Sequence, residues 1–327
     1  MKSLQAPVNI GIVGTGYAAQ RRAEAFSENP RARVLAIAGH TPSTTQTLAQ
    51  QHNAQAEESW EKLVRNPDLD LVVICTINRD HGKIARAALE AGKHVLCEYP
   101  LSLDSAEGNA LLQFAQSQQK LLHVEHIEIL GSLHQTLRDY LPKIGEVTYA
   151  RYTTITPQTP VAGRWTYHYD YFGFPFAAAL SRIHRFTHLF GEVSAVSGQA
   201  RFWDSPAPHY YTACLCTAQL RFSQGLVADI TYGKGEQFTH GGRTFEVYGT
   251  EGTLIFDTEG GRLIRHKEET PIQLGSRRGL FNADSQQVLD HLLDGKPLYI
   301  EPTSSLYALS VAHAVQQSAR SGETIRL

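Results

Sequence analysis

Six consecutive residues near the N-terminus carry the clearest chemical signal. Gly14-Thr15-Gly16-Tyr17-Ala18-Ala19 reads G-x-G-x-x-A, preceded by the strand pattern Val8 to Val13 and followed by a stretch in which Ala19, Ala23 and Phe26 share one helical face. In that setting the first glycine permits a tight turn, the second lets backbone amides approach a pyrophosphate, and the small Ala19 lets helix and strand pack closely. The whole loop is therefore expected to bind a dinucleotide. A second signal is a missing group. The next strand pattern, Arg33 to Ala38, runs into Gly39-His40-Thr41-Pro42-Ser43-Thr44, where an NAD-binding chain normally carries an acid for the ribose 2′-hydroxyl. Without a carboxylate to repel a 2′-phosphate, and with His40, Thr41, Ser43 and Thr44 as donors, the loop favours NADPH, with NADH the weaker alternative. Thr41 before Pro42 also reads as an N-cap and first helical residue, so Thr41 and Ser43 could instead serve only as caps.

Strand patterns at Leu71 to Cys75, His94 to Glu98 and Leu121 to Val124 alternate with helices from about His81 to Ala91 and up to Gln119, the second opened by an expected capping box of Asp104 and Glu107. That alternation predicts a parallel Rossmann sheet, the α/β half of the molecule, over residues 1–126. Ligands of such sheets lie beyond the carboxyl ends of the strands. Thr76, Asn78 and His81, then Glu98 and Tyr99, then Glu125, His126 and Glu128 stand at those ends and are expected to border the nicotinamide. His126 is the one among Glu98, Glu125, His126 and Glu128 whose unperturbed pKa lies about neutrality. His123, inside an apolar strand, reads as structural.

After a helix near Leu133 to Leu141 the pattern changes to long strands joined by tight turns: Val147 to Ile155, Val193 to Trp203, Ala213 to Phe222, Leu226 to Tyr232, Thr244 to Tyr248 and Thr253 to Phe256. A helix from about Pro175 to Phe190 interrupts them. The expectation over 127–327 is an α+β domain with a mainly antiparallel open sheet, one face covered and the other available to a ligand or to a second copy of the chain in a homodimer. Helices near Phe281 to Leu293 and Ser304 to Ala319 are expected to pack back on the nucleotide half.

Composition limits the partners. Thirty basic against 32 acidic residues give a formal charge of -2, so no global positive field exists to hold nucleic acid or an anionic membrane. No apolar run approaches the ~18 to 20 residues of a membrane helix, and Met1 to Val8 carries no apolar signal core, so a cytoplasmic protein is expected. Cys75, Cys97, Cys214 and Cys216 lie in apolar strand patterns and read as reduced core thiols. His184, Thr187 and His188 lack a further ligand on their helix, and no metal is expected.

Gly14-x-Gly16-x-x-Ala19, Thr76-x-Asn78-x-x-His81, the string Ala88 to Val95 and Glu98-x-Pro100, with a sheet domain behind, resemble the Gfo/Idh/MocA oxidoreductases over the whole chain. Most such enzymes have Lys between that Glu and Pro, and an Asp and a His four residues apart on the helix entering the substrate pocket. Here Tyr99 stands in the Lys position, and Ala177 and Ser181 stand roughly where the Asp and His would be. Alcohol oxidation needs a positioned base, so these departures argue against a sugar-alcohol substrate. The Glu98-Tyr99-Pro100-Leu101 variant is similar to that of the biliverdin reductases, a branch of the same architecture. Leu121 to Glu128, Arg164 to His168, Arg201 to Asp204 and Gly275 to Phe281 resemble their cyanobacterial type.

That resemblance implies hydride transfer from NADPH to the C10 methine of biliverdin, giving bilirubin, with a proton delivered to a neighbouring pyrrole nitrogen. A flat, conjugated dianion requires an aromatic wall and cations for its propionates. Trp165, Tyr167, Tyr169, Tyr171, Phe172 and Phe174, with Arg182, Arg185, Arg277 and Arg278, offer both, although an aromatic run also reads as core and Arg277-Arg278 as a solvated turn. Arg185 lies one helical turn beyond Ser181 on the same face. Because Arg stays protonated, it is expected to hold a propionate or lactam oxygen or to orient the proton source. Tyr99 either donates a hydrogen bond to the tetrapyrrole or nicotinamide, or fills the space of the missing Lys. The catalytic candidates are Arg185, Tyr99 and His126; the substrate-binding candidates are Arg182, Arg185, Trp165, Tyr167, Phe174 and Ser181. Two other readings stay open, a sugar or cyclitol dehydrogenase of the wider family and a non-catalytic NADPH-binding regulator.

Overall fold

Apolar runs buried on both sides organise the first of two units. The computed structural model describes residues 4–327; residues 1–3 of the N-terminal stretch Met1 to Val8 lie outside the described residues. Contacts divide the chain into Met1–Leu130 with Arg278–Leu306, and Gly131–Arg277 with Tyr307–Leu327. In the first unit, β1 (Val8–Val13), β2 (Ala32–Ala38), β3 (Gln55–Glu57), β4 (Leu71–Ile74), β5 (His94–Cys97) and β6 (Leu122–Val124) form a parallel sheet in the order β3-β2-β1-β4-β5-β6. Every residue of β4 and β5 is buried, the signature of strands covered by helices on both faces. One covering layer packs Ala19, Ala23 and Phe26 with Val288, Leu289 and Leu292; the other contains Ile84, Ala85, Ala88, Leu89, Leu111 and Ala115. Strand order reverses between β1 and β4, which places the Gly14 loop at the topological switch point.

The expected capping box opens only by half. Asp104 caps the helix Ser105–Ser117 by accepting from the Ala106 amide at 2.8 Å, but the Glu107 carboxylate takes the Ser102 hydroxyl instead of the Asp104 amide. The Asp104 amide donates to Ser102 Oγ at 2.9 Å, so Ser102 stands between the two members of the box.

In the second unit, β7 (Val147–Pro157), β8 (Val193–Asp204), β9 (Tyr211–Phe222), β10 (Val227–Gly235), β11 (Gly242–Gly249), β12 (Thr253–Phe256), β13 (Gly261–Arg265), β14 (Glu268–Ile272) and β15 (Ile325–Arg326) form a sheet ordered β14-β13-β12-β11-β7-β10-β9-β8-β15. It is antiparallel except for the central β7–β10 pair. Sequence patterning missed β13 and β14, in which only Ile272 is buried, so no hydrophobic alternation marks them. Along β10 the covered face reads Ala228, Ile230, Tyr232, Lys234. The other face is polar and ordered, with Arg151 donating to both oxygens of Glu246 at 2.7 and 2.8 Å and Tyr149 Oη donating to Asp229 at 2.7 Å.

The single helix expected from Pro175 to Phe190 is two, Pro175–Ala178 and Ser181–Phe190. Ala179 leaves the helical region at φ -103°, ψ 47°, within a fully buried apolar run that lets the backbone turn without exposing a polar side chain. The second helix lies on the covered sheet face, where Phe186 meets Tyr152 and Phe245 with ring centroids 6.5 and 5.2 Å away, and Phe190 meets Phe222 at 5.9 Å.

Candidate active site

At the switch point, Gly14 adopts φ +128°, and a Cβ there would collide with the Cys75 carbonyl oxygen. Gly16 differs. Its φ of -76° is ordinary and a Cβ would meet nothing within 4 Å, so its backbone is bare on the side from which a phosphate would approach. Thr15, Gln20, Ser43, Thr44, Thr47, Leu48 and Gln51 line a hollow of about 320 Å³. Thr15 Oγ1 and Thr44 Oγ1 stand 3.4 Å apart, while a Cβ at Gly39 would come within 2.5 Å of Thr15 Cγ2 and within 2.6 Å of Thr45 Oγ1. Thr41 occupies the N-cap position, but its side chain makes no capping hydrogen bond; it is exposed, as is His40. Tyr17 is exposed and Ala18 half-buried. The bare loop and adjacent hydroxyl-lined hollow fit a dinucleotide with a further phosphate on its ribose.

The strand-end residues separate into different environments. His81 is buried, with Nδ1 2.8 Å from the Pro100 carbonyl oxygen and Nε2 3.2 Å from that of Thr76, and the single N–H of the neutral ring donates to one of the two. Burial holds its pKa below the usual histidine value. Asn78 is buried, and Thr76, Glu98, Tyr99 and Glu128 are half-buried. Glu98 accepts from Arg22 Nε at 2.9 Å, and the same fully buried guanidinium pairs with Asp284 and donates to Ser285 Oγ at 3.1 Å. Asp284 also meets His123 Nε2 at 2.9 Å. Burial alone would raise the Asp284 pKa, but Arg22 and His123 override it and hold this carboxyl well below its usual range. Glu125 shows the opposite balance, driven up by burial and by the neighbouring Glu98 charge.

His126 is fully buried. Its amide donates to Tyr299 Oη at 2.9 Å, its Nε2 is 2.8 Å from Ser305 Oγ, and its ring stacks on Tyr99 with centroids 5.1 Å apart and planes 5° apart. Arg22, Asp284, Tyr299 and Ser305 had no local sequence signal, because their partners lie far away along the chain.

In the second unit the aromatic segment folds into a short turn, Trp165–Tyr167, and a one-turn helix, Tyr169–Phe172. Trp165 is 37% exposed, whereas Tyr167 is buried with its hydroxyl donating to Gln158 at 3.0 Å. Phe174 and Ser181 are half-buried. Arg182 places its guanidinium 4.0 Å from the Tyr232 ring centroid. Arg185, one turn along the same helix, is buried beside three imidazoles. His134 Nε2 and His188 Nδ1 are 2.9 Å apart. Burial and the Arg185 charge push His134 down to about 2; burial, His188 and Arg185 push His184 down to about 3. Burial, then Arg138 and Arg185, lower His188 as well. At neutral pH these imidazoles are uncharged, and Arg185 is a buried cation beside them, with the exposed Arg138 a second charge acting on His134 and His188. Arg277 and Arg278 are exposed.

The four cysteines are buried and form no disulfide. Among the described residues there is no group of three or more potential metal ligands, and no helix is long and apolar enough to cross a membrane.

This geometry, a Rossmann sheet with a bare glycine loop followed by an open mixed sheet, defines a class. Residues 8–126 match the oxidoreductase family model with NAD-binding Rossmann fold, and residues 142–327 match the C-terminal alpha/beta domain of that family. The chain belongs to the Gfo/Idh/MocA oxidoreductase family. Within it, the chain is similar to the biliverdin reductase of Synechocystis sp. PCC 6803, whose crystal structure is in complex with biliverdin and NADP+: 54% identity, 96% of this chain and 99% of that one covered, TM-score 0.94. Biliverdin reductase A of Mus musculus is 29% identical over 186 residues, covering 57% of this chain and 59% of that protein. Levoglucosan dehydrogenase in complex with NADH shares the fold at 20% identity and TM-score 0.84, over 98% of each chain.

Proposed function

We infer that this chain is an NADPH-dependent oxidoreductase that reduces biliverdin to bilirubin. The observation that carries the inference is the 54% identity, over nearly the full length of both chains, to a biliverdin reductase holding biliverdin and NADP+. NADPH, when bound, supplies the hydride that the C10 methine accepts, and a proton at a neighbouring pyrrole nitrogen completes the two-electron reduction. The residues of the chain have less chemistry to do than in an alcohol dehydrogenase. A conjugated electrophile needs orientation and charge complementarity rather than a base, which suits Tyr99, Ala177 and Ser181 where relatives carry Lys, Asp and His.

The loop Gly14 to Ala19, with Thr76, Asn78, Glu98 and Tyr99, is the proposed seat of the dinucleotide, and Ser43 and Thr44, with His40 and Thr41, that of its 2′-phosphate. His81 supports that seat by filling the space between the Thr76 and Pro100 carbonyls and donating to one of them. Tyr99 offers its hydroxyl, while His126 acts through Tyr99 by holding its ring. In the 127–327 half, Arg185 is the proposed cation for a propionate or lactam oxygen, kept charged among neutral imidazoles. Arg182, Trp165, Phe174 and Ser181 are its proposed companions, and Tyr167 backs the wall. A cytoplasmic protein and a homodimer through the polar sheet face complete the reading; sedimentation velocity distinguishes dimer from monomer.

Purified protein mixed with NADPH and biliverdin tests the reaction. Loss of the long-wavelength verdin band and growth of the rubin band, dependent on both protein and NADPH, is the expected result. No spectral change with NADPH demonstrably bound overturns it. R185A should lower kcat/KM for biliverdin by roughly 10²-fold or more while NADPH affinity stays within about twofold. Unchanged turnover would remove Arg185 from the mechanism.

A further inference from the structure

Lys234 is a cation in an apolar place. It ends the covered face of β10 after Ala228, Ile230 and Tyr232, and is 5% exposed. Its ammonium lies 3.5 Å from the ring centroid of Phe172, 4.4 Å from that of Tyr167 and 5.5 Å from that of Tyr211. It donates to the Thr166 carbonyl oxygen, which also accepts from Tyr211 Oη at 3.0 Å. Two donors from the sheet therefore converge on one backbone oxygen in the middle of the Trp165–Tyr167 turn, whose exposed member is Trp165. Across β9, Cys214 and Cys216 stand opposite Lys234 and Tyr232, and Arg182 bears on Lys234 as a like charge. Burial first, and Arg182 further, push the Lys234 pKa down to about 7 despite the opposing pull of the two thiols. A lysine kept where its charge is disfavoured lowers stability, and such placement is characteristic of functional residues.

We propose that Lys234 is a positioning residue for substrate binding: by fastening the Thr166 carbonyl to the sheet within a ring of Tyr167, Phe172 and Tyr211, it presents Trp165 as the wall for a flat, conjugated tetrapyrrole. The proposal rests on the biliverdin reading of the site. Its ammonium donates to the turn, and the rings around it belong to the turn and the elements that hold it, so its removal acts on substrate affinity through Trp165 and leaves the chemical step in place.

The test compares K234M, Y211F, W165A and the double variant K234M/W165A in steady-state kinetics with biliverdin. K234M should raise the KM for biliverdin about tenfold, with kcat within about twofold and NADPH affinity unchanged; Y211F should move KM in the same direction. The two K234M-containing proteins must differ in their response: the K234M effect should disappear in the W165A background, since residues acting through one contact are not additive. A KM effect of K234M that persists in full without Trp165, an unchanged KM, or a loss confined to kcat overturns the proposal. Acrylamide quenching of the Trp165 emission, taken as the difference from W165F without any ligand, should increase in K234M and in Y211F. That measurement separates the two inferences: a wild-type protein inactive on biliverdin refutes the substrate, whereas quenching indifferent to Lys234 refutes the positioning role. Y211F supplies both readouts if K234M does not fold.

Discussion

Two buried cations meet the same desolvation penalty with different partners. Arg22 faces Glu98 and Asp284, and these carboxylates raise its pKa although burial opposes them. The partner Asp284 titrates below its ordinary value, so the unfolded chain takes up this proton first as the solution is acidified. The pair therefore stabilises the fold above about pH 4, where the unfolded carboxyl is ionised, and that contribution is lost as pH falls toward the folded value. D284N leaves Arg22 buried with one carboxylate fewer and should lower stability by ~3–5 kcal/mol at pH 7, read as a lower urea midpoint. The deficit relative to wild type should narrow below about pH 4. An unchanged midpoint at pH 7 would mean that the pair does not stabilise the fold. Lys234 has aromatic faces and a carbonyl instead, and its pKa falls from 10.5 to about 7. Between those values the unfolded chain holds the proton and the folded chain does not, so stability rises with pH across this window. K234M should therefore compare most favourably with wild type at pH 6, and that advantage should shrink toward pH 10; parallel melting curves across the range would contradict the assignment.

At the scale of elements, the strand-turn-helix that opens the chain uses its glycines for different reasons, and substitution separates them. G14A places a Cβ against the Cys75 carbonyl at a positive φ, so both the melting temperature and NADPH affinity should fall. G16V meets open space at an ordinary φ, so its melting temperature should stay within about 2 °C of wild type while NADPH affinity drops at least tenfold, the added side chain standing where phosphate must approach. Equal affinity in wild type and G16V, measured by fluorescence titration, would place the pyrophosphate elsewhere. The break at Ala179 shows how an element can differ from its pattern. The apolar run from Pro175 is compatible with continued helix, yet burial on every side permits a change of direction that periodicity does not encode.

For the whole molecule, the nucleotide unit is discontinuous in sequence. The helix Leu280–Asp294 supplies Asp284 to Arg22 and buries Val288, Leu289 and Leu292 against the sheet layer containing Ala19, Ala23 and Phe26. A fragment ending at Leu130 keeps all six strands of the parallel sheet but loses Val288, Leu289 and Leu292 from that layer and leaves Arg22 without its buried Asp284. It should fail to melt cooperatively and be cleaved by protease under conditions in which the full chain resists. A sharp thermal transition in the fragment would show that the sheet and its remaining helices suffice.

The parallel sheet, the glycine loop and the missing acid after β2 were legible in the sequence because each is a local property: a run of apolar residues, a spacing, an absent charge. The family resemblance was legible for the same reason, through short strings such as Glu98-Tyr99-Pro100. Lys234 lies two residues beyond Tyr232, where the strand read from the sequence ends, so its place on the covered face came only with the longer β10. What surrounds these residues was not legible. Asp284 reaches Arg22 across 262 positions, Tyr299 and Ser305 reach His126 from beyond residue 290, and the rings that receive Lys234 come from three separate elements. Periodicity tells which side of an element is buried. Which distant side chain shares that burial depends on how several elements pack at once, and only the tertiary structure decides it.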